Sequence, residues 1–428
     1  MAENYFFSNK IRYDMITSFV LKVASRCNLN CSYCYMYNLG DKTYLKQPKF
    51  MSIDTIKAFA TKLNEYCLEN NLNTIQIVFH GGEPLLISKE FYRESIKIFK
   101  EILPDHYFDF VIQTNGVGLG DEWYQLFNEL DIRVGISIDG PKEYHDKYRV
   151  FHNGKGSYEE VKEAIMLGQN YGLNGILSVI NLKIPPQELY DEVKNLQVKG
   201  LNILLPDGHF DQLPEGMEKE FVNTKNYTPY ADWLIELFKI WKNDNDRMSV
   251  RFFKTLIDLI VGEDEGDQIL GKNINGVAVL ETNGNLEVAD FIRACYEGIT
   301  RNDINIHTHA IGDVFKDRLF DVYMNAHAMV SQKCLNCSIY DFCGGGFLGN
   351  RYSNEKGFDN PTIYCHDMIK LITYIQNDII DGIPAEAQKE MELSKVSYED
   401  IVHELEFDNE EIMIESEVKE KLMHYRLA

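Results

Sequence analysis

The chain has 428 residues, which predicts two or three domains, and its apolar fraction of 45% is sufficient for large cores. Its formal net charge of −23 argues against a nucleic-acid partner, because phosphate binding requires a basic surface. No apolar run reaches the roughly 18 residues of a membrane span, and Met1–Lys10 lacks a secretory signal layout. Nine cysteines in such a chain favour metal binding in a reducing cytoplasm over disulfides.

Strand-like and helix-like segments alternate along the first 245 residues. Repetition of this order predicts a parallel sheet with right-handed crossovers. We therefore predict an α/β fold, a partial (β/α)6 TIM-like barrel open on one side, over roughly residues 15–245. The predicted strands are Thr17–Ala24, Thr74–Phe79, Phe108–Gln113, Arg133–Ile138, Gly175–Ile180 and Leu201–Leu205. The predicted helices are Ile53–Glu69, Ser88–Leu103, Asp121–Leu130, Tyr158–Tyr171, one opening near Pro185, and Tyr230–Asn243.

The rest of the chain divides into three predicted parts. Residues 246–280 contain a helix and an acidic, glycine-bearing stretch that we interpret as a linker. Residues 281–370 carry five of the nine cysteines, and Asn283-Gly284 predicts a hairpin at their start. Residues 371–428 form a helical extension, and from residue 385 onward it has 13 Asp/Glu against 5 Lys/Arg, net −8. Such a charge run is typical of solvated helix faces, so we assign no chemistry to it.

Three cysteines, Cys27, Cys31 and Cys34, directly follow the first predicted strand with x3 and x2 spacing. A loop this tight can close three thiolates around one face of a cubane iron–sulfur cluster, which four thiolates normally saturate. Three ligands leave one iron open to another ligand, as at a catalytic zinc. The alternatives are a zinc knuckle or buried structural thiols, but three cysteines without a nearby histidine make a poor zinc site.

With the aromatic Tyr33 before Cys34, this motif resembles the signature of the radical S-adenosylmethionine (SAM) enzymes. The resemblance implies a [4Fe–4S] cluster whose open iron chelates the amino and carboxylate groups of SAM. It also implies that one electron splits the sulfonium, and that the 5′-deoxyadenosyl radical then abstracts hydrogen from the substrate.

A second motif, His80-Gly81-Gly82-Glu83-Pro84, follows the second predicted strand. Paired glycines let backbone approach a ligand closely, and Glu83 can accept a hydrogen bond from an ammonium group. In radical SAM enzymes the same four residues, Gly-Gly-Glu-Pro, meet the amino group of SAM, so the resemblance implies that role for Gly81, Gly82 and Glu83.

Further motif residues lie at the ends of strands three, four and six. Ser137 and Arg149 occur at the same spacing in the anaerobic sulfatase-maturating enzymes, where they hold the ribose side and the carboxylate of SAM. A guanidinium suits a carboxylate because it offers two parallel donors. The resemblance further implies cofactor contacts for Asn115 and for Leu205, the latter at the adenine, while Tyr33 either stacks near adenine or packs. Ordinary turn chemistry or a surface ion pair are the alternatives for the polar residues.

A second group of thiols lies near the C-terminal end, and four cysteines close one tetrahedral or cubane site completely. The pattern resembles the SPASM extension of radical SAM peptide-modifying enzymes. A full SPASM domain holds two auxiliary [4Fe–4S] clusters, but two of its ligand positions are Ala289 and Phe347 here. We therefore predict two clusters in total, with a structural zinc as the alternative at the second group. The second group is Cys334, Cys337, Cys343 and Cys365.

Asp290 follows the lost ligand position at Ala289. The aspartate at this place in sulfatase-maturating enzymes takes a proton from the substrate, so the resemblance implies a catalytic base. A hairpin-end or helix-cap aspartate is the alternative, and Glu281 is a weaker candidate base. We interpret Cys67 as a core residue and Cys295 as a structural thiol or a spare ligand.

Several C-terminal features, including Gly344–Gly346 and Arg351-Tyr352, resemble the single-auxiliary-cluster enzymes that mature ribosomally made peptides. That group includes cyclophane-forming maturases, which join an aromatic ring carbon to the β-carbon of a nearby residue. The resemblance implies a precursor peptide as substrate and a reductant such as flavodoxin or ferredoxin, and we expect a cytoplasmic monomer. Thioether formation, epimerisation, formylglycine formation and a non-catalytic iron–sulfur sensor are the alternatives.

Overall fold

The structure is a computed structural model that describes residues 15–263, 266–406 and 414–427. Within these residues the strands form one sheet, in the spatial order 7-6-5-4-3-2-1-8-9. All neighbouring pairs are parallel except the last, in which strand 9 is antiparallel to strand 8. The strands are β1 (Ser18–Ala24), β2 (Thr74–Gly81), β3 (Tyr107–Thr114), β4 (Ile132–Ser137), β5 (Gly175–Val179), β6 (Gly200–Leu204), β7 (Ser249–Val250), β8 (Val277–Leu280) and β9 (Leu286–Glu287).

Helices connect successive parallel strands and cover the outer face of the sheet, as the alternating sequence pattern predicts. The first helices are α1 (Ile53–Asn70), α2 (Lys89–Ile102), α3 (Asp121–Leu130), α4 (Lys142–Tyr148), α5 (Tyr158–Gly168), α6 (Pro186–Asn195), α7 (Pro229–Asn243) and α8 (Arg251–Val261). The C-terminal helices are α9 (Arg318–Met324), α10 (Gln332–Leu335), α11 (Tyr340–Cys343), α12 (Cys365–Asp381), α13 (Ala385–Glu390), α14 (Tyr398–Glu406) and α15 (Ser416–Met423).

The predicted partial barrel is confirmed, and it fixes where functional residues can lie. Phe19 and Leu21 of β1 point outward into the core, where the Phe19 ring packs edge-on against Phe59 of α1 at 5.2 Å. Side chains alternate along a strand, so Val20 and Lys22 point to the opposite, inner face. The carboxyl ends of the parallel strands meet at one edge of the barrel, which is where such folds carry their sites.

The segment that we predicted as a linker contributes to the sheet. Its apolar run Val277–Leu280 forms β8, which pairs with the otherwise free edge of β1 and joins Leu21 to Leu280 in register. The predicted hairpin follows, because β9 turns back antiparallel to β8. This pairing brings the residues after β9, including Asp290, close to the end of β1.

Some sequence interpretations fall outside the described residues. These are the N-terminal segment Met1–Lys10, residues 264–265 of the glycine-bearing stretch, and residues 407–413 and 428 of the acidic extension. In the described part of the chain, none of the helices has the length and apolar character that crossing a bilayer requires.

Candidate active site

The three cysteines of the first motif lie on the loop after β1 and line a cleft at the carboxyl ends of β2 to β6, which we call the cysteine cleft. Its volume is about 1000 Å³, including space open to solvent. The N–H of Asn30 donates to the carbonyl of Val150 at 2.7 Å and fixes the loop against the segment after α4. Burial raises the pKa of Cys27, Cys31 and Cys34, to about 11 for Cys34, because a desolvated thiolate is less stable than the neutral thiol.

Gly81 and Gly82 let the turn after β2 pack directly on the cysteine loop. A Cβ on Gly81 would lie 2.2 Å from the carbonyl oxygen of Ala24, and one on Gly82 would lie 2.3 Å from that of Arg26. The N–H of Gly82 donates to the Ala24 carbonyl at 2.7 Å. Both glycines line the cysteine cleft, but the close approach that requires them is between two segments of this chain.

Glu83 is a buried carboxylate on the wall of the cysteine cleft. Its Oε1 accepts hydrogen bonds from the hydroxyl of Thr114 at 2.7 Å and the N–H of Leu85 at 2.9 Å, and its Oε2 accepts from the N–H of Asn115 at 2.9 Å. Desolvation nevertheless raises the pKa of Glu83 to about 7. Since its described hydrogen-bond partners are all uncharged, a cationic ligand group in the cleft would stabilise the ionised form.

Arg149 and Tyr33 form one network with Asp139, a residue to which the sequence analysis gave no role. Nη1 of Arg149 donates to the Tyr33 hydroxyl at 2.7 Å, and that hydroxyl donates to Asp139, which lies 3.6 Å from Arg149. The Nε of Arg149 is buried without a hydrogen-bond partner among the described residues. An unpaired buried donor is costly, so this atom fits an acceptor that the protein does not supply, such as a ligand carboxylate.

Asn115 and Ser137 line the same cleft. Nδ2 of Asn115 donates to Oδ1 of Asn28 at 2.8 Å and lies 3.7 Å from Sγ of Cys27, so Asn115 ties the end of β3 to the cysteine loop. The hydroxyl of Ser137 accepts from Nε2 of Gln113 at 2.9 Å. Both side chains remain able to contact a molecule in the cleft.

The structure contradicts the prediction that Leu205 lines the cleft. The side chain of Leu205 is buried in the hydrophobic core, and Leu204 lines the cysteine cleft instead. Successive side chains of a strand point to opposite faces, so the inward position falls one residue earlier than we predicted. Asp207, three residues beyond Leu204, also lines the cleft and was not predicted.

Asp290, the predicted base, lies behind the wall of the cysteine cleft. Its Oδ2 accepts a hydrogen bond from the hydroxyl of Tyr35 at 2.7 Å and forms an ion pair with Nζ of Lys22. Its Oδ1 has no hydrogen-bond partner among the described residues. Tyr35 itself lines the cleft, so its side chain lies between Asp290 and a molecule bound there.

Lys22 is a functional candidate that the sequence analysis missed. Its side chain is 1% exposed, and Nζ lies 2.9 Å from Nδ1 of His80, its cross-strand neighbour on β2. Burial lowers the pKa of Lys22 to about 7 and that of His80 well below its usual value, so the imidazole is neutral. A lysine inside an apolar strand was the available signal, because lysine is almost never fully buried unless it is paired.

The alternative base Glu281 is held in a buried charge cluster. Nη2 of Arg293 donates to Glu281 at 2.7 Å and to Glu287 at 2.6 Å, and all three side chains are 1% exposed. Glu281 and Asp290 thus both have a cationic partner, and Asp290 differs in its Oδ1, which accepts no hydrogen bond from the described residues.

The four C-terminal cysteines line one apolar cavity beside the first turn of α12. Burial raises the pKa of every thiol in this group. No set of three or more His, Cys, Asp or Glu side chains in residues 15–263, 266–406 and 414–427 is close enough to hold a single metal ion. Four cysteine thiolates fit either a cubane cluster or a zinc ion. These thiols belong to Cys334, Cys337, Cys343 and Cys365.

Arg351 shapes the loop between the third and fourth of these cysteines. Its fully buried guanidinium donates to the backbone carbonyls of Ala326 at 2.6 Å, Gly345 at 2.9 Å and Gly346 at 2.6 Å. No carboxylate of the described residues pairs with it, so the backbone itself compensates this charge. Cys343, which begins the loop, lines the cavity.

At two positions where a full SPASM domain carries further cysteines, this chain has apolar side chains. Ala289 is buried, and the ring of Phe347 packs on that of Phe291 with centroids 4.5 Å apart. The nearby thiol of Cys295 is buried, with Sγ 3.8 Å from the carbonyl of Gly349. The described residues thus retain one auxiliary-type set of four thiols.

Comparison with known proteins agrees with this geometry. The sequence profile of the Radical SAM superfamily matches residues 21–218, which include the cysteine loop and the turn after β2. These residues form a radical SAM domain. Radical SAM enzymes hold a [4Fe–4S] cluster and SAM, and three features of the cleft fit this pair: the three thiols, the cation-seeking carboxylate of Glu83 and the unpaired Nε of Arg149.

Two relatives of this radical SAM protein carry functional names. It is 26% identical to the cysteine-type anaerobic sulfatase-maturating enzyme of Clostridium novyi (strain NT), over 84% of this chain and 97% of the relative. It is 27% identical to the serine-type anaerobic sulfatase-maturating enzyme of Bacteroides thetaiotaomicron, over 78% of this chain and 83% of the relative.

Two solved structures share the fold. The sulfatase-maturating enzyme anSMEcpe, with bound AdoMet and a peptide, superposes with a TM-score of 0.72 at 21% identity, over 86% of this chain and 99% of that chain. SuiB of Streptococcus suis, bound to its precursor peptide SuiA, gives a TM-score of 0.50 at 12% identity, over 78% of this chain and 72% of that chain.

Proposed function

We propose that this radical SAM protein crosslinks side chains within a ribosomally made precursor peptide, joining an aromatic ring carbon to a β-carbon. The observation that carries the proposal is the carboxylate of Asp290, paired with buried Lys22 behind the cysteine cleft and with Oδ1 left free. Loss of an aromatic ring proton requires such a base. The retention of one auxiliary thiol set also supports the resemblance to the single-auxiliary-cluster maturases.

In this proposal, a first set of residues holds SAM and the catalytic cluster. Once bound, the cluster and SAM would supply the radical that removes a β-hydrogen from the peptide. Glu83 would bind the ammonium group of SAM, and Arg149 would bind its carboxylate through the donor that is unpaired in the structure. The cluster ligands are Cys27, Cys31 and Cys34, and the cofactor-binding residues are Tyr33, Gly81, Gly82, Glu83, Asn115, Ser137 and Arg149.

Crosslinking removes two hydrogens from the peptide. One leaves as an atom from the β-carbon, and the ring carbon loses the other as a proton to Oδ1 of Asp290. The remaining electron requires a one-electron acceptor, and the second thiol set would hold a cluster with that capacity. Lys22 orients Asp290 through its contact with Oδ2. A reductant such as flavodoxin or ferredoxin, in a reducing cytoplasm, would start each turnover.

Formylglycine formation is the second candidate, because both named relatives are sulfatase-maturating enzymes. Oxidation of a serine also removes two hydrogens, so mass alone does not separate the two reactions. An aldehyde reacts with a hydrazide, whereas a carbon–carbon crosslink does not and instead suppresses fragmentation between the joined residues. Epimerisation is less well supported, because its hydrogen donor would be Cys295, a buried thiol that is not among the residues lining the cysteine cleft.

The experiment is co-expression with a short peptide encoded beside this gene, followed by tandem mass spectrometry. A loss of two hydrogens, resistance to fragmentation and no hydrazide adduct support crosslinking, whereas a hydrazide adduct supports formylglycine formation. Substituting Asp290→Ala should stop the modification while SAM cleavage without product continues. Modification at the wild-type rate would show that Asp290 is not the base. A non-catalytic sensor would release no 5′-deoxyadenosine at all.

A further inference from the structure

A positively charged loop lies on the surface beside the cysteine loop, and we call residues 42–50 the basic loop. It contains three lysines and no acidic residue, in a chain with 66 Asp and Glu against 43 Lys and Arg. Lys42, Lys46 and Lys49 are exposed, and none of them forms an ion pair with a described residue. The basic loop therefore locally reverses the charge of an acidic chain.

The acids that flank the basic loop along the chain do not neutralise it. The side chain of Asp41 is 1% exposed and points inward, where it accepts from the hydroxyl of Thr43 at 2.7 Å and lies 3.8 Å from Nη1 of Arg293. Asp54, in the first turn of α1, forms no ion pair with a described residue. The three lysines thus remain available to an acidic partner.

Two large apolar side chains are exposed among these lysines. Leu45 is 58% exposed and Phe50 is 45% exposed. An apolar centre with a charged rim is the usual composition of a protein–protein interface. Transient electron-transfer complexes bury less than about 1,200 Å² in total, so a small surface of this kind is sufficient for one.

Hydrogen bonds join the basic loop to the segment that leads into Cys27. The N–H of Ser25 donates to the carbonyl of Lys49 at 3.0 Å. Nη1 of Arg26 donates to the carbonyl of Tyr44 at 2.7 Å. Ser25 and Arg26 directly precede Cys27, so a short path of covalent bonds and hydrogen bonds connects this surface to a proposed cluster ligand.

The basic loop is separate from the proposed SAM site, because none of its residues is among those that line the cysteine cleft. Binding of SAM therefore does not explain its charge. Each cleavage of SAM also requires one electron from outside the protein. A surface joined to the cluster loop but outside the cleft is suited to deliver that electron.

We propose that the basic loop is the docking site of an acidic one-electron carrier protein that reduces the cluster at the first site. The reduced carrier loses one electron and the cluster gains it, so no bond forms or breaks. The lysines would attract the acidic surface of the carrier and offset the repulsion between two negatively charged proteins. The inference deepens the proposed function and rests on it for the assignment of the first site to SAM cleavage.

The test follows 5′-deoxyadenosine formed from SAM without peptide, in the full-length protein with both cluster sites reconstituted. The reductant is either flavodoxin, kept reduced by NADPH and flavodoxin reductase, or saturating dithionite, a small molecule that needs no docking surface. One variant combines Lys42→Glu, Lys46→Glu and Lys49→Glu. At subsaturating flavodoxin its rate should fall at least about tenfold, and with dithionite it should equal that of the wild type.

Two matched triple variants are the controls. Arginine in place of the same three lysines keeps the charge and should keep the flavodoxin-driven rate. The second control combines Lys100→Glu, Lys199→Glu and Lys389→Glu, which are exposed lysines without a described ion pair. It changes the net charge of the chain by the same amount and should also keep the flavodoxin-driven rate.

Several results would overturn the inference. They are an undiminished flavodoxin-driven rate in the glutamate variant of the basic loop, an equal loss in either control, and a wild type that dithionite activates but flavodoxin does not. An equal loss with both reductants would show that the lysines support the first site itself, and weaker peptide binding by this variant would make the loop a peptide site. Normal flavodoxin-driven SAM cleavage without crosslinking would leave this inference standing and refute the proposed reaction.

Discussion

Replacing Lys22 with methionine tests whether a buried ammonium group positions the proposed base. Lys22 contacts Oδ2 of Asp290 and lies 2.9 Å from Nδ1 of His80, on the inner face of the barrel. Methionine keeps an unbranched chain of similar length, so the interior stays filled while the charge is removed. Asp290 would retain its hydrogen bond from Tyr35 but lose the contact that holds it beside β1.

The expected size of the effect follows from these contacts. A hydrogen bond between charged groups contributes about 1.5–3 kcal/mol, which corresponds to crosslinking slowed about 10- to 150-fold. Two effects on stability oppose each other. Asp290, with 14% of its side chain exposed, loses a partner, but a desolvated amine is also removed. We therefore expect the free energy of unfolding to change by less than about 2 kcal/mol.

The assay follows crosslinked peptide and 5′-deoxyadenosine in the same single-turnover reaction. Lys22→Met should slow only the crosslink, because the residues proposed to hold SAM are untouched. The control is Lys57→Met, which changes an exposed lysine of α1 and should leave both products at wild-type rates. Wild-type crosslinking by Lys22→Met would refute the positioning role, and a parallel fall in both products would place Lys22 in SAM cleavage instead.

Three further predictions concern the two cluster sites. Because burial raises the pKa of Glu83 to about 7, SAM affinity measured by calorimetry should fall below pH 7, by up to about tenfold per pH unit. The Glu83→Gln variant should bind SAM at least about tenfold more weakly than the wild type, and its affinity should not depend on pH in this range. If the variant kept the pH profile of the wild type, Glu83 would not be the group that binds the ammonium of SAM. Arg351→Met leaves buried carbonyls unpaired, so we expect a lower melting temperature. We also expect the iron content to fall from about eight to about four atoms per chain. An unchanged iron content would show that Arg351 does not support the second cluster site. Gly82→Ala places a Cβ 2.3 Å from the Arg26 carbonyl and should reduce iron at the first site, whereas Gly312→Ala, with nothing within 4 Å, should not.

Much of the fold could be predicted because the relevant signals are local. Each strand of the barrel is a short apolar run followed by a helical pattern, and this alternation determines a parallel sheet. The motifs at Cys27, Glu83 and Ser137 follow or end the parallel strands β1, β2 and β4, so the topology alone brings them to one edge. For the same reason the cysteine cleft was predictable from spacing along the chain.

The features that were missed depend on contacts between distant segments. The pairing of β8 with β1 joins residues about 260 positions apart, and nothing in Val277–Leu280 specifies β1 as its partner. The contact between Lys22 and Asp290 depends on that pairing. The error at Leu205 was of another kind, since a strand end misjudged by one residue exchanges the core face for the cleft face.

The most direct test of the central claim is formation of 5′-deoxyadenosine by the anaerobically reconstituted, reduced protein with SAM. We predict that the wild type forms it, that Cys27→Ala, Cys31→Ala and Cys34→Ala do not, and that Cys67→Ala, which changes a core thiol, does. If the wild type left SAM intact, or if the cleft variants still cleaved it, the assignment of the cysteine cleft as the SAM site would be wrong.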